Sequence, residues 1–301
     1  MSGIGGIALF FVFGIFLRFF DLKQIHLAKL LNMGIIYISL PALILYKIPS
    51  IRVSSDTLSV LAMPWILALI LPAIVILFSK KFNLSKKETG SLLLVSVLGN
   101  TSFLGVPLIG MFYGETYIPY ALIYDQLGSF LILSTYGSIV VSIYSATGSF
   151  DIRIIIKKIL LFPPFLALVV AFFLQNSDMD KIFEWILKPL SLTLVPFALM
   201  SVGYQLRFQV PKDERKALII AIIIKTVISP LLALLISLLF FNFDTITKVA
   251  ILEAGMGPMI TAGIMANLAG LKPRLTNAIV GYGILFSFIT LPLFYTILSN
   301  F

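Results

Sequence analysis

Gly99-Asn100-Thr101-Ser102-Phe103-Leu104-Gly105-Val106-Pro107 interrupts residues 92–112, an apolar run otherwise long enough to cross a bilayer. A second run, residues 246–269, is interrupted by Glu253-Ala254-Gly255-Met256-Gly257-Pro258. Each interruption puts glycines, a proline and a strong polar group where hydrocarbon would surround a helix. Such a break frees backbone N–H and C=O groups that lipid cannot satisfy, so it must face protein or a water-filled cavity. In membrane proteins, paired broken segments in corresponding halves point to a binding site at mid-membrane.

The rest of the chain supports a membrane reading. It is 59% hydrophobic and 12% charged, with a mean hydropathy of +1.07; a water-soluble domain carries about twice that charged fraction. Ten segments approach the roughly 20 apolar residues a span needs: 4–20, 28–46, 58–79, 89–112, 117–144, 152–175, 182–204, 214–241, 246–269 and 276–298. Strand alternation is absent over these lengths, which argues against a β-barrel. The first segment lacks a basic leader and an Ala-x-Ala-type cleavage site, so it is expected to be retained. There is no cysteine, which excludes disulfides, thiolate metal sites and a cysteine nucleophile.

The net charge of +9 is distributed by topology. The odd-numbered connections between segments, with their flanks, hold sixteen lysines and arginines, Arg18, Lys23, Lys80, Lys86, Lys157, Arg215, Lys272 and Arg274 among them. The even-numbered ones hold five: Lys47, Arg52, Lys181, Lys188 and Lys248. The positive-inside rule then puts the odd connections in the cytoplasm and both termini outside, as an even span count requires. The expected location is a multi-pass protein of the plasma or inner membrane, with the lipid bilayer as partner and no nucleic acid.

The chain divides near Phe150 into two sets of five segments, 1–150 and 151–301. Five is odd, so the halves must run in opposite orientations. Leu40-Pro41-Ala42-Leu43 resembles Val195-Pro196-Phe197-Ala198, Pro107 has a counterpart in Pro258, and Pro72 in Pro230, at offsets of 155, 151 and 158 residues. The expected fold is therefore all-α, with ten transmembrane helices as two inverted five-helix repeats and broken helices 4 and 9 crossing.

At 1.5 Å per residue, the midplane of a core about 30 Å thick lies about ten residues into a span. Asn100, Asp125, Lys225 and Glu253 all fall near that depth. A charge there should face the bundle interior and have partners. Each break starts a second half-helix whose free N–H groups attract a carboxylate. Asn100, Thr101, Ser102, Phe103, Gly257, Pro258 and Met259 are the expected substrate contacts. The first half-helices end in carbonyls, which suit a cation. Glu253, Asp125, Ser129 and Met256 form the expected cation- or proton-coupling group, with a sodium ion on Glu253, Asn100 and Asp125 as the metal expectation and no other cofactor. Lys225 is the expected intramembrane charge partner, and Gly99, Gly105, Pro107, Gly255 and Pro258 the helix breaks and hinges. Structural alternatives stand beside these roles: Asn100 as a helix cap, Asp125 as a hydrogen-bond acceptor, Lys225 as counter-ion to either carboxylate, and Thr101 and Ser102 as partners for freed backbone.

Asn100-Thr101-x-x-Leu104-Gly105-x-Pro107 resembles the broken fourth helix of the auxin efflux carrier family. Tyr124-Asp125-Gln126-Leu127-Gly128-Ser129, Pro258-Met259-Ile260-Thr261-Ala262 and Ser287-Phe288-Ile289-Thr290-Leu291-Pro292 look like its prokaryotic members. The resemblance covers essentially the whole chain. It implies a scaffold panel of helices 1, 2, 6 and 7, a mobile core of helices 3–5 and 8–10, a small carboxylate bound at the crossing with Asn100 on its carboxylate, and homodimers. Glu253-Ala254-Gly255-Met256 departs from that family's small-residue stretch and resembles instead the Glu-x-Gly-Met of the bile-acid sodium symporters, a related fold in which the glutamate helps bind sodium.

The expected activity is alternating-access, elevator-like transport of small organic anions, coupled to sodium or protons. Two other classes fit the sequence less well. An intramembrane aspartyl-type hydrolase would use Asp125 and Glu253 as a dyad, but the chain has no Gly-x-Gly-Asp, His-Glu-x-x-His or Gly-x-Ser-x-Gly motif. An uncoupled anion channel would need a filter, and no ring-forming motif is visible. Without a Walker A sequence a primary pump is excluded.

Overall fold

The computed structural model describes residues 4–20, 26–51, 57–145, 151–174, 181–210 and 212–300. Lys23, Arg52, Gln175 at the end of the sixth segment, and the boundary near Phe150 lie outside them. Over the described residues every apolar segment is helical and no strand forms. The helices are α1 (Ile4–Leu17), α2 (Leu27–Lys47), α3 (Thr57–Lys81), α4 (Lys86–Val95), α5 (Thr101–Phe112), α6 (Glu115–Tyr144), α7 (Ile152–Leu160), α8 (Pro163–Phe173), α9 (Glu184–Gln205), α10 (Lys212–Phe240), α11 (Thr245–Ala254), α12 (Ile260–Leu268) and α13 (Pro273–Ser299). Six of them, α2, α3, α6, α9, α10 and α13, are long and apolar enough to cross a membrane unbroken.

Two departures from the sequence expectation have local causes. Residues 152–175 are not one straight span: α7 and α8 meet at 59°. Pro163-Pro164 opens α8, and proline drives the preceding residue out of the helical region; Phe162 sits at φ −77°, ψ 115°. The second concerns the widened, π-type turns Ile35–Ser39, Thr101–Gly105 and Ile224–Ile228. Each ends two residues before a proline: Pro41, Pro107 and Pro230. A proline lacks the N–H of its turn and its ring crowds the carbonyl four residues back, so the preceding turn widens.

Polarity is arranged for lipid. Leu69, Phe173, Trp185, Phe240 and Leu268 are exposed, whereas Asn100, Asp125, Lys225 and Glu253 are buried. A water-soluble protein does not expose so broad an apolar surface.

Helices α1, α2, α8 and α9 pack on one another, and α3 to α6 pack with α10 to α13. The α1–α9 contact is backbone on backbone: a Cβ on Gly14 would strike Met200 O, and one on Gly203 would strike Phe11 O. Small residues at such contacts are how membrane helices approach closely. Ser39 and Thr193 hydroxyls, 2.6 Å apart, tie α2 to α9. Groups from odd connections meet each other: Lys272 pairs with Glu214 at 2.8 Å, and Arg18 donates to Leu206 O at 2.8 Å. Lys47 and Glu115, from even connections, pair at 2.8 Å. The two sets of connections therefore occupy opposite ends of the bundle.

Gly203→Leu should overfill the α1–α9 contact and lower stability in detergent by about 1–3 kcal/mol. A thermal melt indistinguishable from wild type would contradict the close packing.

Candidate functional site

The two broken segments cross. Helices α4 and α11 both start at well-capped ends. Ser85 and Glu88 form a reciprocal capping box on α4, and Asp244 accepts from Thr247 N at 2.8 Å on α11. Both helices then stop inside the bundle. Gly99 and Pro258 lie opposite each other in a single antiparallel bridge. Asn100 N donates to Gly257 O at 2.7 Å, and Met259 N donates to Leu98 O at 3.0 Å. The breaks thus satisfy one another's backbone, as hydrocarbon requires. Pro258 of the second break thus lies opposite Gly99 of the first. Pro107 lies inside α5, which is already helical from Thr101. The hydrogen bond that its missing N–H forgoes is absorbed by the widened turn Thr101–Gly105.

Asn100 is the first residue of the second half-helix by backbone, with its C=O accepting from Leu104 N and Gly105 N at 3.2 and 3.0 Å. Its side chain does not cap. The Asn100 Nδ2 is buried without a partner, and such an orphaned donor marks a position where a ligand oxygen fits. The Thr101 hydroxyl donates to Asp125 Oδ1 through a short hydrogen bond, and Ser102 Oγ and Gln126 Nε2 each donate to Oδ2 at 2.6 Å. Asp125 therefore anchors the start of α5 to α6. Of the expected substrate contacts, Thr101, Ser102 and Phe103 could offer the ligand their backbone N–H groups, the two hydroxyls being engaged elsewhere.

Glu253, in the last turn of α11, is fully buried, and neither carboxylate oxygen has a hydrogen-bond donor. It presses on the first turn of α5, where a Cβ on Gly105 would collide with both oxygens. Lys225, in the widened turn of α10, reaches across to the ends of both first half-helices. Its Nζ donates to Ala254 O at 3.0 Å and lies 3.5 Å from Val97 O. Ser229, one turn on and not singled out from sequence, donates to the same Ala254 O at 2.8 Å. A cavity of about 20 Å3, room for about one water, lies between Lys225 and Glu253, with Thr101, Tyr124 and Ser129 also in its wall.

The expected hinge glycines serve space and not torsion. Gly99, Gly105 and Gly255 have no positive φ; among described glycines only Gly114 and Gly270 do. A Cβ on Gly99 would lie 3.0 Å from Lys225 Nζ, and one on Gly257 would lie 2.8 Å from the Ile284 backbone. Met256 is fully buried among apolar neighbours. Of the residues expected to hold sodium, Asp125 already accepts three donors, and Asn100 presents an unpaired Nδ2. The carboxylate dyad of a hydrolase is absent, because Glu253 shares no hydrogen bond with Asp125.

Helices broken in the interior of an apolar bundle and crossing over buried polar groups fit a membrane transporter. The chain belongs to the family described as membrane transport protein, which matches residues 16–145 and 150–295, and the resemblance to prokaryotic auxin efflux carriers is borne out. It is 31% identical over 302 residues to an uncharacterized transporter of Methanocaldococcus jannaschii, covering 95% of each chain. It is also 25% identical over 274 residues to an uncharacterized transporter of Methanothermobacter thermautotrophicus, covering 90% of this chain and 89% of that one.

Asp125→Ala leaves Thr101, Ser102 and Gln126 without their acceptor and should cost about 3 kcal/mol, whereas Asp125→Asn keeps an acceptor oxygen and should cost less. Denaturation in detergent checks this order; equal melts for the two variants would refute the anchoring role.

Proposed function

We propose that the protein carries small organic anions across the cell membrane by alternating access, with the carboxylate bound where the two breaks cross. The observation that carries this reading is the buried, unpartnered Asn100 amide at the start of α5. A carboxylate there would accept from Nδ2 and from the free N–H groups that open α5 and α12, at the positive ends of both half-helices. Gly257, Pro258 and Met259 form the opposite wall by their backbone. The packing of α1, α2, α8 and α9 on one another supports a scaffold against which α3 to α6 and α10 to α13 move as a body in an elevator-like step. The Gly99–Pro258 pairing, at an offset of 159 residues, supports two inverted repeats of five spans, 1–150 and 151–301. The charge asymmetry supports a cytoplasmic position for the odd connections and extracytoplasmic termini.

Asn100→Ala removes one hydrogen bond to a charged ligand. It should weaken carboxylate binding at least about tenfold, or about 1.4 kcal/mol. The ligand-free protein should melt at or slightly above the wild-type temperature, because the variant deletes an unpaired buried donor. Thermal melts in detergent against a panel of mono- and dicarboxylates, followed by uptake into proteoliposomes, test both points. If no carboxylate stabilises the wild type, the reading fails.

A further inference from the structure

We propose that the Lys225 ammonium is a built-in cation of the crossing, standing where a dissociable sodium ion would otherwise bind, so that this carrier works without sodium. The inference rests on the carrier reading above and concerns its coupling ion.

A helix that stops inside a bundle leaves its last carbonyls unpaired, at the negative end of its dipole. Here two such ends, α4 and α11, converge. That arrangement suits a cation, and a cation is already present: Lys225 Nζ donates to Ala254 O at 3.0 Å and lies 3.5 Å from Val97 O. The surroundings are shaped for it. The widened turn before Pro230 carries Lys225, Gly99 leaves the space its Nζ occupies, and Ser229 supplements it on Ala254 O. Glu253 completes the balance. Its two oxygens have no donor, and Glu253 and Lys225 line the same small cavity, so the buried carboxylate has a positive charge in the same interior space.

The other charged or titratable groups around Glu253 are Tyr124 and Asp125, both from α6. Asp125 is held by Thr101, Ser102 and Gln126; α3 contributes only Pro64, Leu67 and Ala68 to the cavity wall. A sodium ion on the same carbonyls would face the ammonium at contact distance, with its remaining carboxylate ligand already balanced. The residues that would bind sodium therefore fit a fixed ammonium instead. Covalent attachment also keeps the charge with the protein in every state of the cycle, whereas a bound ion would be delivered with each substrate.

The test is a series of thermal melts of purified wild type, Lys225→Arg and Lys225→Met in sodium, potassium or N-methylglucamine chloride at one ionic strength. Wild type and Lys225→Arg should melt alike in all three salts. Lys225→Met, with the carbonyl ends and Glu253 stripped of their cation, should melt lower and recover with sodium in a saturable manner, as a ligand of the folded state does. Sodium-specific stabilisation of the wild type overturns the proposal, as does a folded Lys225→Met that ignores sodium. The wild-type arm needs no variant to fold. Carboxylate uptake by wild-type proteoliposomes should proceed at the same initial rate when N-methylglucamine replaces sodium. A strict sodium requirement there would overturn the tethered cation and leave the carrier reading standing. A wild type that binds no carboxylate would overturn the carrier reading, while the melts still decide whether Lys225 fills the cation position.

Discussion

Every part of the site answers to one constraint: a backbone broken inside hydrocarbon must have its polar groups satisfied by protein. Asn100 N on Gly257 O and Met259 N on Leu98 O meet part of that demand, each break serving the other. Lys225 and Ser229 meet another part at the carbonyl ends. None of these interactions is local in sequence, so neither broken segment is stable as drawn without the other. The crossing thereby locks together two helices that are separated by about half of the chain.

The consequence is a site with two electrical sides. Carbonyl ends gather on one side around Lys225, and Glu253 reaches from there to the first turn of α5. On the other side the half-helices begin, and Asn100 holds an unpaired donor beside them. Asp125 fixes the geometry between the two by gripping Thr101 and Ser102, the first residues of α5. The glycines complete the fit by being absent side chains: Gly105 makes room for the Glu253 carboxylate and Gly99 for the Lys225 ammonium. Larger residues at either position would press on a charged group that has nowhere else to go.

Prolines act at a distance of one turn. Pro41, Pro107 and Pro230 each follow a widened turn, and two of those turns carry site residues, Thr101 to Gly105 and Lys225. A lost hydrogen bond in each helix is thus converted into the angle at which a functional group leaves it. The proline pair at 163–164 does something coarser, turning the sixth segment by 59°.

Much of this was legible in the residues themselves. Apolar run length marks membrane helices, glycine and proline inside such runs mark breaks, and a buried charge at mid-depth marks an interior face, because each follows from the cost of polar groups in hydrocarbon. Asn100, Asp125, Lys225 and Glu253 could be singled out on that ground alone. Their roles could not. That Asp125 grips α5 and shares no hydrogen bond with Glu253, that Pro258 faces Gly99, and that Lys225 caps two helix ends are choices among partners 24 to 159 residues apart. Sequence fixes which groups need a partner, since desolvation acts on each residue separately; only the tertiary structure decides which partner, since hydrogen bonds depend on distances that the packing of all the helices sets together.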